Sequence, residues 1–398
     1  MRFLDYTSLL LPLASLPLVS AAPSSSTPST KYLNWRKGNF VGVNLGGWLV
    51  QEEFIDSGFW SANFGNASDE WTGCKALGSK CGSVLEARYG SWVDKALIDT
   101  LAKSGVNVLR IPTTYAAWIS VPGSQFYHGK QRQYIRTITN YAIKKYNMHI
   151  ILDLHNLPGG INGLGIGERT GGYDWFNSTT NLQYSLDTVD AVLSFIQASK
   201  YPSHFTLEPI NEPVDNRNFQ FFGTPLSLSD SGVQWVLKYY KAVLERVKKV
   251  DKRIPVMLFD TFKSPEFWSA YFDKSENIVI DTHNYWFPTS RGVNSKNVTK
   301  LICEDAQKAK TSKFPVFVGE WSLEVGYNNS LALRERNLKT ALKAWDIGVG
   351  GAFWTAKVTS DDIKVAGEGS KTDYWSWVEY ARLGFFDKNR KVKGLTCS

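Results

Sequence analysis

Short apolar runs recur along the chain, and most are followed by a longer stretch with helical spacing. Eight runs of four to seven residues stand out: Asn39–Leu45 (NFVGVNL), Val106–Ile111, His149–Leu154 (HIILDL), Phe205–Ile210, Pro255–Asp260, Ile278–Thr282, Pro315–Gly319 and Gly350–Phe353. Runs of this length, rich in Val, Ile and Leu, predict strands buried on both faces. Between them, Val93–Ser104, Gln131–Tyr146, Thr188–Ser199, Gly232–Val250 and Leu331–Asp346 repeat apolar residues every three or four positions, as helices with one buried face do. Eight strands with intervening helices predict an α/β fold, a single (β/α)8 TIM barrel whose catalytic face lies at the C-terminal ends of the strands.

That rule makes the residues at the strand ends the first place to look for chemistry. They are Gly46-Gly47-Trp48, Arg110 with Pro112, His155, Asn211-Glu212, Thr261-Phe262, His283 with Tyr285, Glu320-Trp321 and Trp354. Strands 4 and 7 stand across the mouth from each other, so Glu212 and Glu320 are expected to face one another. Paired carboxylates about 5 Å apart can cleave a glycosidic bond with retention, one protonating the leaving oxygen and the other attacking the anomeric carbon.

Composition narrows the setting. The chain has 398 residues, enough for one large barrel, and its aromatic content of 14% suits surfaces that stack on sugars. The 45 Lys and Arg against 37 Asp and Glu give +8, but the basic residues are scattered, so nucleic acid is not expected as a partner. Four Cys and five His form neither Cys-x-x-Cys nor His-Glu-x-x-His, and no metal site or cofactor is expected.

The N-terminus carries Arg2, the apolar stretch Leu9–Val19 and the small residues Ser20, Ala21 and Ala22. This reads as a signal peptide over 1–21, too short to span a bilayer, followed by a flexible leader over 22–34 and a catalytic barrel over 35–398. A secreted, extracellular monomer without a membrane partner is expected. Export makes two disulfides possible. Cys74 is close enough to Cys81 to staple one loop, which would leave Cys303 to Cys397, one of three connectivities. Asn66, Asn177, Asn297 and Asn328 begin Asn-x-Ser/Thr glycosylation sequons.

The Asn-Glu-Pro of residues 211–213, with Gly-Glu-Trp of 319–321, resembles glycoside hydrolase family 5. Gly42–Val50 (GVNLGGWLV), Leu109–Pro112, Asp153–His155, His283–Tyr285 and Phe353-Trp354 are similar to its secreted fungal exo-β-1,3-glucanase branch. The resemblance implies Glu212 as general acid/base and Glu320 as nucleophile, with Arg110 and Tyr285 holding the charge of Glu320. It implies Asn211 on the sugar 2-hydroxyl, His155 and His283 on other hydroxyls, and Trp354 under the glucose ring. Glu52 corresponds to an acidic hydroxyl acceptor of that branch. Trp48 and Trp321 either join them or pack the rim.

After His155 the chain departs from the Gly-Ala-Pro-Gly of the exo-glucanases. It reads Asn156–Glu168 (NLPGGINGLGIGE), then Tyr173–Phe176, and resembles instead the fungal rutinosidases, which release rutinose from flavonoid glycosides such as rutin. A rutinosidase is therefore expected, with an exo-β-1,3-glucanase as the alternative and a carbohydrate-binding protein without catalysis as the reading from another class. Specificity resides in such loops while the cleaving pair is unchanged.

Overall fold

The structure, a computed structural model, describes residues 28–286 and 292–397. The expected signal peptide and leader residues 22–27 lie outside the described residues. Eight parallel strands close into a barrel in sequence order: β1 Phe40–Asn44, β2 Val108–Thr113, β3 His149–Leu154, β4 Phe205–Glu208, β5 Val256–Phe259, β6 Ile278–Trp286, β7 Val316–Val325 and β8 Gly350–Phe353. Val43 pairs with Leu109 on one side and Phe353 on the other, which seals the ring.

β6 and β7 run further than their apolar cores. His283–Trp286 and Glu320–Val325 continue the ladder beyond register shifts, with His283 opposite Glu320. The polar residues there face the mouth of the barrel, so they carry no hydrophobic signature to extend the expected strands. The helix expected over Thr188–Ser199 begins earlier, at Thr179, where the Ser178 hydroxyl accepts from the Asn181 N–H and caps its first turn. The helices Glu70–Leu77, Cys81–Trp92 and Val298–Lys308 were not expected. The first two bury small or mixed residues such as Gly73, Cys74 and Arg88, and so lack a clean apolar stripe.

The floor of the barrel is plugged from the N-terminal side. Trp35 enters among Val108, Ile151, Met257, Val279 and Phe317, and its Nε1–H donates to Thr206 Oγ1 at 3.0 Å. His149 Nε2 meets the same hydroxyl at 2.8 Å, its ring edge-on to Trp35. Residues 28–34 are fastened as well: the Ser203 hydroxyl donates to the Ser29 carbonyl, and the Tyr32 hydroxyl donates to Asp251, each at 2.7 Å. The end of the leader is thus packed chain.

Disulfides join Cys74 to Cys81 and Cys303 to Cys397. The second ties the C-terminal segment to the helix after β6. Loop-closure entropy gives a bridge over 94 residues roughly 4–5 kcal/mol of stabilisation. Asn66, Asn177, Asn297 and Asn328 are all exposed. Among the described residues no helix is long and apolar enough to cross a membrane.

Candidate active site

A cavity of about 260 Å³ opens at the C-terminal face, lined by residues that include Glu52, His155, Glu212, His283, Tyr285, Glu320 and Trp354. Beneath it lies Arg110, wholly buried on β2. All five of its N–H groups are engaged. Nε and Nη2 grip both oxygens of Glu208 at 2.7 and 2.8 Å, Nη1 donates to Asn44 at 3.0 Å and to Glu320 Oε1 at 2.7 Å, and Nη2 also donates to Asn211 Oδ1 at 2.8 Å. Asp153 stands 3.1 Å from the same Nη2. A guanidinium with no donor left over holds its neighbours and does not itself reach a sugar, so Arg110 is a positioning group for Glu320 and Asn211.

Glu320 is clamped at both oxygens, by Arg110 at Oε1 and by the Tyr285 hydroxyl at Oε2, 2.9 Å away. Burial pushes its carboxyl above the ordinary range, while His283 and Arg110 pull it back. Gly319 precedes it because there is no room for more. A Cβ at 319 would sit 2.2 Å from Asp281 Oδ1, the atom that accepts the Gly319 N–H at 2.6 Å.

Glu212 occupies a different kind of place. Its backbone has φ 44°, a left-handed conformation that costs a non-glycine residue about 1 kcal/mol or more. Asn162 Nδ2 donates to the Glu212 carbonyl at 3.2 Å, and the Val214 N–H donates to the Ile161 carbonyl at 2.8 Å, so the loop after β3 pins the turn. The Glu212 side chain meets His283 Nδ1 at 2.6 Å.

His283 was expected to bind a sugar hydroxyl, but both its nitrogens are taken, Nδ1 by Glu212 and Nε2 by Asp281 at 3.2 Å. Burial works against its charge, yet Glu320 and Asp281 together raise it well above the usual histidine range. It is an imidazolium linking the carboxylates. Glu212, His283 and Glu320 each bring a ligand-type atom within 4.8 Å of the others, as do Glu208, Asp281 and His283. Arg110 bonds Glu208 in one cluster and Glu320 in the other.

His155 is the histidine that remains available. Its Nδ1 is bonded to Asp153 at 2.6 Å, its Nε2 is buried without a protein partner, and its ring stacks on Trp354 at 5.4 Å. Asn211 Nδ2 is likewise buried and unpartnered. Glu52 lines the cavity with Oε1 unpaired. Burial first, then Glu320 and Glu212, push its carboxyl up to about 8, so it is neutral at pH 7 and can both donate to and accept from a hydroxyl. Trp48 and Trp321 are buried and pack the rim.

Sequence reasoning missed Glu208, Asp153, Asp281 and Asn44, the carboxylates and amide that set Arg110 and His283. It also missed Phe54 and Trp375, which line the cavity edge to face at 5.3 Å. The signal was present: Asp153, Glu208 and Asp281 are lone acids inside apolar strand runs, and a buried acid there demands a partner.

The comparisons with known proteins agree with this geometry. The fold superposes on the crystal structure of rutinosidase from Aspergillus niger with a TM-score of 0.88 and 51% identity, covering 90% of this chain and 100% of that one. A probable glucan 1,3-beta-glucosidase A of Aspergillus clavatus is 30% identical over 311 residues, 77% of this chain and 70% of the relative. Glucan 1,3-beta-glucosidase 1 of Schizosaccharomyces pombe is 27% identical over 79% of this chain and 82% of its own length. Residues 67–359 match the model of the cellulase family, glycosyl hydrolase family 5. With the closed barrel and the facing glutamates at its mouth, the chain belongs to glycosyl hydrolase family 5.

Proposed function

We propose that the protein is a secreted retaining β-glycosidase that releases rutinose from flavonoid rutinosides such as rutin. The observation that carries this reading is the 51% identity to the Aspergillus niger rutinosidase along 90% of the chain, against 30% to the glucan 1,3-beta-glucosidases. Residues 1–21 act as the signal peptide, and the two disulfides suit an oxidising exterior.

Glu320 attacks the anomeric carbon while Glu212 donates its proton to the glycosidic oxygen, and the phenol departs. Glu212 then takes a proton from water, whose oxygen displaces Glu320 and returns the sugar with its β configuration. An oxygen of Glu212 lies within 4.8 Å of one of Glu320, closer than the wide separation an inverting pair uses, which favours the covalent route. Asn211 Nδ2 binds the 2-hydroxyl, His155 Nε2 and Glu52 take other hydroxyls, and Trp354 lies under the ring.

Incubation with rutin, isoquercitrin and laminarin, with the released sugar identified by chromatography, tests the assignment. Intact rutinose from rutin is expected. Glucose from laminarin with rutin untouched would make the protein an exo-β-1,3-glucanase, and sugar binding with no hydrolysis would make it a lectin-like relative. Proton NMR should detect the β anomer of the product first.

A further inference from the structure

The two glutamates of the mouth are held by different means. Glu320 lies on β7, where the ladder sets it opposite His283 and the sheet fixes its backbone. β4 stops at Glu208, and its last rungs join Glu208 to Asp153 on one side and Leu207 to Val256 on the other. Glu212 therefore stands past the end of the ladder, in a left-handed conformation at φ 44° that the sheet does not hold.

The loop after β3 supplies the missing hold. Asn162 is 2% exposed and lies between that loop and the Glu212 turn, its Nδ2 donating to the Glu212 carbonyl at 3.2 Å and its Oδ1 accepting the Leu164 N–H at 3.0 Å. A carbonyl on one side and an N–H on the other leave the amide one orientation. The neighbouring Ile161 carbonyl accepts the Val214 N–H at 2.8 Å. These two bonds flank Pro213, whose ring fixes its own φ, so the backbone that leaves Glu212 has little freedom.

Asn162 is itself locked in place. A Cβ at Gly167 would sit 2.1 Å from Asn162 Oδ1, so the loop closes over the amide only because residue 167 has no side chain. The Ile161 N–H donates to the Gly167 carbonyl at 3.2 Å. Beside it the buried Glu168 accepts from the Tyr115 hydroxyl at 2.7 Å and from the Gly159 N–H at 3.1 Å, which bolts the loop to the residues after β2. Asn162 does not line the catalytic cavity, so it acts through Glu212 and not on the sugar.

We propose that Asn162 is the positioning residue of the acid/base: by gripping the Glu212 carbonyl it aims the carboxyl at the glycosidic oxygen, while the nucleophile, seated on the ladder, does not depend on it. The proposal rests on the reading of Glu212 as proton donor. Proton transfer requires the donor within about 3 Å of the leaving oxygen, and a misplacement of about 1 Å can cost a hundredfold. A displaced Glu212 therefore costs most where the leaving group needs its proton and least where it does not.

The test sets Asn162→Ala beside wild type and Glu212→Ala on β-rutinosides and β-glucosides that carry a dinitrophenyl, a flavonol or an alkyl leaving group. With the alkyl group, kcat/KM should fall about thirtyfold or more in Asn162→Ala, and with dinitrophenyl less than about threefold, a dependence between those of wild type and Glu212→Ala. Azide needs no base: its nitrogen bonds to the anomeric carbon as the bond to Glu320 breaks. It should raise kcat on the dinitrophenyl glycosides in Asn162→Ala and in Glu212→Ala and leave wild type unchanged. Asn162→Ser, whose hydroxyl is too short to reach both partners, is read in the same way should the alanine variant not fold. An equal loss on every leaving group, without gain from azide, would overturn the proposal and make Asn162 a support of the fold alone. A wild-type dependence in Glu212→Ala would instead defeat the reading of Glu212 as proton donor, and the proposal with it.

Discussion

The two ends of the barrel each bury a histidine, and they treat it in opposite ways. At the floor, His149 lies among Trp35, Thr206 and apolar strand residues, and burial, aided by the charge of His204, lowers it to about 3. At the mouth, His283 is equally enclosed but stands between Glu212, Asp281 and Glu320, and it is raised well above the usual range. Burial alone expels charge, whereas burial among opposite charges keeps it. The floor spends its polar groups on one hydroxyl and is built for packing. The mouth sets Arg110 and His283 against Glu52, Asp153, Glu208, Glu212, Asp281 and Glu320, an excess of acid that is tolerable only if several hold protons.

The contrast breaks most severely if the chemistry is removed from the mouth. Glu320→Gln should lower kcat/KM at least about a thousandfold on every substrate, while Glu212→Gln should hurt poor leaving groups most, since a phenol of low pKa needs less protonation. Steady-state rates on rutin and on an alkyl glycoside would decide it, and wild-type turnover in Glu320→Gln would dismiss the site. Next in size is a stability difference. Arg110→Met strands several buried carboxylates and should cost about 3–5 kcal/mol in urea unfolding. His149→Gln, which can still bond Thr206, should cost only about 1 kcal/mol. Equal losses would mean the two ends are energetically alike.

Stability against pH sharpens the same comparison. His283 has a folded pKa above its unfolded value of about 6.5, so its contribution is complete below that value and is lost as pH rises through the folded one. His149 behaves in reverse. Its unfolded form binds the proton between about pH 6.5 and 3, so the native state loses stability as pH falls through that window. The deficit of about 1 kcal/mol shown by His149→Gln at pH 7 should therefore shrink and reverse by pH 4, where wild type has lost roughly 3 kcal/mol to this histidine, as urea midpoints would register. A constant deficit would place a charged imidazole at the floor.

The smallest effect concerns Glu52. Its carboxyl is neutral below about 8, and its ionisation above that adds a negative charge beside Glu212 and Glu320. Wild-type kcat/KM should fall on the alkaline side with an apparent pKa near 8. Glu52→Gln should flatten that limb and give up about threefold or more at pH 6, where a hydroxyl contact is weakened. An identical alkaline limb in the variant would assign it to another group.

Much of this was legible in the residues. The eight apolar runs marked every strand, and the rule that chemistry gathers at strand ends found Glu212, Glu320, His155 and Trp354. Less visible was what lies beneath. Asp153 and Glu208 sit within the apolar runs of β3 and β4, so their acids read as interruptions of a pattern, and the sequence links Arg110 to Glu320 without showing that its remaining donors are spent on Glu208, Asn44 and Asn211. Long-range pairing is the reason: Arg110 and Glu320 are 210 positions apart, and only closure of the ring brings them to 2.7 Å. Phe219 and Phe222, on the loop after β4, line the cavity and escaped notice because a loop residue's placement depends on the loop's own hydrogen bonds, which no periodicity announces.

The pairing of β1 with β8 also has a consequence for how the chain is made. Phe40 must find Gly350 and Val43 must find Phe353, yet a ribosome delivers the first pair member more than 300 residues before the second. Until then the growing sheet has two open edges, and a chain truncated by a premature stop codon keeps them, offering strand templates to other chains. Nonsense mutations before residue 350 should thus yield aggregates cleared by quality control, never a smaller working enzyme.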